Sequence, residues 1–95
     1  MANFRVTCIT TPQVDGSYDS ITHIGNSIDQ WTIEVQEAIA RINSKRDAFY
    51  LQDDKTGKIS YLIVVNAEGE KAYLRGYGDG QYNDHLLTLN QCYID

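Results

Sequence analysis

Proline is nearly absent from this chain of 95 residues, occurring once, at Pro12. With 42 % of the residues hydrophobic, that scarcity argues against a disordered segment and for a folded globular chain. Long apolar runs are lacking too. The longest strictly apolar run, Tyr61–Val65, has five residues, against about twenty for a membrane-spanning helix. The N-terminus, Met1-Ala2-Asn3-Phe4-Arg5, shows no basic region leading into an apolar stretch. No secretory signal is visible, and a cytoplasmic protein is expected. Basic residues are few: eight Lys and Arg stand against thirteen Asp and Glu, for a net charge of −5. They are scattered, with Lys45–Arg46 the one adjacent pair. Direct nucleic-acid binding, which draws on a basic patch, is therefore disfavoured. The acids are scattered as well, which excludes an acidic tail.

Cysteine is sparse. Cys8 and Cys92 fit no common zinc spacing, and in a cytoplasmic protein they are expected as thiols. Phenylalanine occurs twice, whereas tyrosine occurs seven times. Tyrosine joins apolar area to a polar tip, so it suits sheet faces and half-wet binding surfaces.

The residues present lay out an α+β chain. Phe4 to Thr10 alternates and reads as an opening strand ended by Pro12. A polar loop follows over Gln13–Ser20, then a short strand, Ile21-Thr22-His23-Ile24, stopped by Gly25-Asn26. Val35, Ala38, Ile39 and Ile42 recur at helical spacing and share one face. Thr32 or Asp29 is the expected N-cap, Glu37 and Arg41 form an i, i+4 pair, and Trp31 is placed to fold back over the first turn. Three strands follow: Ala48–Gln52, Ile59–Asn66 and Lys71–Tyr77. They are joined by a turn at Asp53–Lys58, with Gly57 suited to positive φ, and another at Ala67–Glu70. Tyr61–Val65 is apolar on both faces, as an inner strand is. Gly76–Asp84 reads as a glycine-rich loop. His85–Leu89 is either a helical turn capped by Asn83 or Asp84 or an extended cover over the sheet edge. The expected architecture is a single small domain, β-β-α-β-β-β, an antiparallel meander with one main helix packed on one sheet face.

Motifs for chemistry are weak. Gly76, Gly78 and Gly80 are spaced G-x-G-x-G, without a Gly-Lys-Ser/Thr or a βαβ context, and read as a turn. Asp79, Asn83 and Asp84 lack the alternating acids of a calcium loop. Cys8 and His23 are the one nucleophile–base pair on offer, for a small hydrolase or transferase, but Cys8 falls on the face of Phe4 and Val6, where burial quenches a thiol. Cys8, His23, His85 and Cys92 are the four residues available to a zinc-stabilised module. His23 is either a hydrogen-bonded structural residue or a lining of a pocket with Trp31 and the glycine-rich loop.

The chain resembles a family of short bacterial and phage-associated proteins classed as a domain of unknown function. Val6-Thr7-Cys8-Ile9-Thr10, Ile21-Thr22-His23-Ile24-Gly25, Trp31, Ala38-Ile39, Ile42 and Phe49-Tyr50 carry the resemblance. So do Tyr73-Leu74-Arg75, Asp79-Gly80, Leu86-Leu87-Thr88-Leu89 and Cys92. Asn90 stands where the family's ending has proline, and Asn26 where a second glycine is common. The resemblance implies a single domain, bacterial or phage-borne, and supplies no activity.

The reading that follows is a non-enzymatic binding or adaptor module with no cofactor. Its expected surface is His23, Trp31, Arg75, Tyr77, Asp79 and Tyr82, facing a protein or a small molecule. By analogy of size and acidity, a phage-encoded inhibitor of a host defence system is one version. Any open sheet has edges, so a homodimer is compatible with it.

Overall fold

A computed structural model describes residues 2–11, 18–66 and 71–92. The elements run β1 (Ala2–Arg5), β2 (Cys8–Thr10), β3 (His23–Asn26), β4 (Trp31–Glu34), α1 (Val35–Asn43), β5 (Asp47–Gln52), β6 (Ile59–Val65), β7 (Tyr73–Gly78), β8 (Gln81–Asn83) and β9 (Asn90–Gln91). Single 3-10 turns stand at Tyr18–Ser20 and His85–Thr88. The fold is α+β with two mixed sheets. One has five strands, in the order β1-β5-β6-β7-β8; the other has four, in the order β4-β3-β2-β9.

The first half of the chain departs most from expectation. Phe4–Thr10 is two strands, one in each sheet. The break is visible in two consecutive amides: Val6 N–H donates to Tyr50 of the five-stranded sheet (2.8 Å), and Thr7 N–H to Gly25 of the four-stranded one (2.9 Å). The alternating pattern is continuous, so it conceals the crossover. Gly25-Asn26 does not stop β3 but belongs to it, paired with Thr32 and Trp31. Trp31 lies in β4, not over the helix. Its ring meets Phe4 edge-on at 5.9 Å and Phe49 at 6.2 Å, so it fills the seam between the sheets.

The helix is where its apolar stripe predicts. Val35, Ala38 and Ile39 are buried, and Ile42 packs beside them. Glu37 and Arg41 are 3.6 Å apart. The cap differs: Glu34 takes that position without a side-chain bond, Thr32 is in β4, and Val35 N–H donates instead to the Thr22 carbonyl (2.9 Å). The far end closes with Lys45 at φ 61°. There Lys45 N–H donates to Ile42 and Arg46 N–H to Arg41 (3.0 and 3.1 Å), which satisfies carbonyls that would otherwise lack partners.

β5, β6, β7 and β8 form an antiparallel meander, with β6 inside it and α1 against the inner face. Gly57 has φ 74°, as the turn requires. The expected turn at 67–70 and the loop at 13–17 fall outside the described residues, and so does Pro12. One core joins both sheets and the helix through Val6, Ile9, Ile24, Ala38, Phe49, Leu62, Leu74 and Leu86.

The glycine-rich stretch is no loop. Gly76 and Gly78 lie in β7, and Asp79-Gly80 is a two-residue hairpin with φ 54° and 79°. Positive φ at both positions matches the right-handed twist of the strands it joins. Gly76 faces inward, and a Cβ there would collide with the Asn83 carboxamide. The room it leaves lets Asn83 Nδ2 donate to the buried Ser60 hydroxyl (2.9 Å), while Asn83 Oδ1 accepts from His85 N–H (3.2 Å). That second bond starts the 3-10 turn at His85–Thr88, whose Leu86 is fully buried.

Candidate functional site: a tyrosine-lined sheet face

Side chains alternate across a strand, so the register fixes which residues share the outer face of the five-stranded sheet. Arg5 pairs with Tyr50, Tyr50 with Tyr61, Tyr61 with Tyr77, and Tyr77 with Tyr82. Four tyrosines therefore stand in one row across four adjacent strands. Their rings form two contacting pairs, Tyr50–Tyr61 at 6.1 Å and Tyr77–Tyr82 at 5.4 Å. The face is open: Tyr61 is 46 % exposed, Tyr77 39 %, Tyr82 48 %, and Ile59 on the same side 46 %. Ile63, paired with Arg75, and Val65, paired with Tyr73, extend the surface along β6 and β7.

Arg75 anchors one end. Its guanidinium lies 5.1 Å from the centre of the Tyr18 ring and 4.9 Å from that of Tyr82, the geometry of cation–π attraction. It also bonds Asp84 at 3.3 Å. Tyr18 stacks on Tyr73 at 5.8 Å, and its hydroxyl donates to the Asp84 carboxylate, with the Asn83 carbonyl oxygen 3.2 Å away. The bond from Tyr18 holds the Asp84 carboxyl below its ordinary value, with Arg75 adding to the effect. Burial, then the bond to Asp84, raises Tyr18 above its own. Two further ion pairs border the sheet: Arg5–Asp54 at 2.8 Å and Lys58–Asp79 at 3.6 Å.

Of the six residues expected at a binding surface, Arg75, Tyr77, Asp79 and Tyr82 meet on β7 and β8 and the hairpin between them. His23 and Trp31 stand on the other sheet. His23 Nδ1 is 2.9 Å from the Thr22 hydroxyl and lines a cleft of about 260 Å³ with Tyr18, Glu34, Lys71 and Tyr73. That is a different pocket from the one expected with Trp31 and the glycines. Tyr50 and Tyr61, which complete the row, were not among the expected residues; the pairing of β5, β6 and β7 was the signal that could have found them.

The cysteines overturn two expectations. β9 runs parallel beside β2, which brings the Cα atoms of Cys8 and Cys92 to 4.9 Å, and the two are joined in a disulfide. The thiols expected from a cytoplasmic placement are absent, and that placement is left without support, because stable disulfides belong to oxidising compartments. A bonded sulfur is neither a thiolate nucleophile for His23 nor a zinc ligand. Among the described residues, no three His, Cys, Asp or Glu side chains are grouped to hold a metal, and no helix is long and apolar enough to cross a membrane.

Fold and face together define a small α+β domain that displays a tyrosine-rich sheet surface. Residues 5–90 match DUF3892, described as a protein of unknown function, and the chain belongs to that family. This bears out the resemblance drawn from the sequence. The chain matches no curated protein and no solved structure.

Proposed function

We propose that this protein is a non-enzymatic binding module whose partner is another protein and whose contact surface is the outer face of the five-stranded sheet. One observation carries the reading: Tyr50, Tyr61, Tyr77 and Tyr82 are in register across four strands, and three of them are exposed. Exposed large apolar groups gathered on one face of a small chain mark an interaction site more than scattered ones do. The composition fits as well. Tyrosine and arginine are the residues that anchor protein interfaces, and ion pairs form their wetter rims. Here Arg5 and Arg75 lie on the tyrosine face, and Asp54, Asp79 and Asp84 meet cations at its margins. The phage-inhibitor version draws no support from this geometry and is not carried further.

A photo-crosslinking side chain tests the reading in cells of the source organism. Placed at Tyr61 or Tyr77, it is expected to give one discrete adduct with a partner protein. Placed at Ile28, which is 79 % exposed on the β3–β4 turn, it is expected to give none. Adducts from position 28 alone, or from no position, would refute the proposal.

A further inference from the structure

We propose that the Cys8–Cys92 disulfide is a redox latch: a dithiol reductant opens it and frees the last strand, β9, from the edge of the four-stranded sheet, while the rest of the chain stays folded. The proposal stands apart from the tyrosine face.

Among the described residues, little else holds β9. It is two residues long and pairs with β2 alone. Beyond that short ladder, Cys92 N–H donates to the Ile9 carbonyl (2.9 Å), and the Gln91 side chain accepts from Thr11 N–H (3.1 Å). Asn90 is exposed and Gln91 half-buried, so the strand sets no apolar side chain in the core. Hydrogen bonds of this kind each add little net stability. The segment before β9 is anchored separately. Leu86 is fully buried in the 3-10 turn, and Leu87 and Leu89 pack against the core. Elements that open alone are those with few buried apolar contacts, so the release stops at Leu89.

The two ends of the bond differ in access. Cys8 is 1 % exposed and Cys92 half-buried. A thiolate of the reductant attacks the Cys92 sulfur. A new S–S bond forms there, and the electron pair of the old bond leaves on the Cys8 sulfur, which takes a proton. The second thiol of the reductant then displaces Cys92, which leaves and is protonated in turn. The protein disulfide gains two electrons and two protons, and the reductant is oxidised to its own disulfide. The chain has two cysteines, so no third thiol diverts the exchange, and oxidation restores the same bond.

Opening changes the surface. β2 becomes the edge of the sheet, with the Ile9 carbonyl released from Cys92. Asn90 and Gln91 form one wall of a cleft of about 520 Å³ whose lining includes Ile9, Ile21, Leu87 and Leu89, and the release removes that wall. An open strand edge beside apolar side chains is a template for strand addition. The closed latch covers it.

The experiment treats the purified full chain with excess dithiothreitol, without denaturant, and follows it by amide NMR and hydrogen exchange. The reduced chain is expected to keep its native dispersion, with Ile24, Leu62 and Leu74 still protected, while exchange at Cys92 quickens at least about tenfold. Cys92→Ser is expected to reproduce that state and to give one spectrum with and without dithiothreitol. Oxidation of the reduced parent should restore the starting spectrum. A disulfide that survives the treatment would overturn the latch, as would a Cys92 amide that stays protected once the bond is broken. So would loss of dispersion across both sheets, in the reduced parent or in Cys92→Ser, because the disulfide would then be a condition of folding.

Discussion

The two sheets are built in opposite ways. The strands β5 to β8 follow one another in sequence and pair through short connections, so most of the five-stranded sheet is local. The four-stranded sheet gathers β2, β3 and β4 from the first third of the chain and β9 from its end, and the disulfide spans 84 residues to hold that closure. The local sheet carries the exposed tyrosines. The non-local sheet carries the covalent bond. Stability is invested in the part the chain finds hardest to assemble, while the self-assembling part is free to present an open surface.

Reduction should separate the two sheets most sharply. Closing a loop of this length is worth about 4.5 kcal/mol through the entropy of the unfolded chain. Thermal melts with and without reductant should differ accordingly, and amide exchange should quicken in Cys8–Thr10 and Asn90–Gln91 while Tyr61–Val65 stays protected. Equal quickening in both sheets would erase the distinction. Gly76→Ala attacks the local sheet instead. Its new methyl meets the Asn83 carboxamide, and overpacking of this kind costs about 1–3 kcal/mol, read by denaturant titration.

Solution pH probes the edge where the local sheet meets the Tyr18–Ser20 turn. The Asp84 carboxyl is lowered from 3.8 by the Tyr18 bond. Its stabilising contribution is therefore present above 3.8 and lost as pH falls through the lower, folded value. Tyr18 is raised from 10.0 by burial and Asp84, so its contribution is present below 10.0 and lost as pH rises through the higher value. Tyr18→Phe should flatten the acid limb of the stability profile and remove a tyrosine that titrates above the usual value from an absorbance titration.

Local patterns were legible in the sequence, and long-range pairing was not. The Val35–Ile42 stripe was plain because periodicity reports burial directly; Tyr61–Val65 is inner in strand order, but its unbroken apolar run did not reveal that one face, with Tyr61 46 % exposed, is open. The crossover at Val6-Thr7 was hidden, since alternation continues unbroken from Phe4 to Thr10 while the hydrogen-bond partners change. Asp79-Gly80 was a strong hairpin signal, obscured by glycines whose role is to make room for Asn83. Arg75, Tyr77, Asp79 and Tyr82 were found together because they are near in sequence. Tyr50 and Tyr61 join them only through strand register, and Cys8 meets Cys92 only through the parallel pairing of β2 and β9, which no local motif encodes.

The central claim is that the tyrosine row serves recognition rather than folding. Cross-strand pairs of exposed side chains contribute about 0.2–1 kcal/mol each. The most direct measurement sets partner binding beside thermal stability for the double variant Tyr61→Ser, Tyr77→Ser. The expected result is a folded protein that melts within a few degrees of the parent and no longer yields the partner adduct. A variant that keeps its partner, or that unfolds outright, would contradict the account.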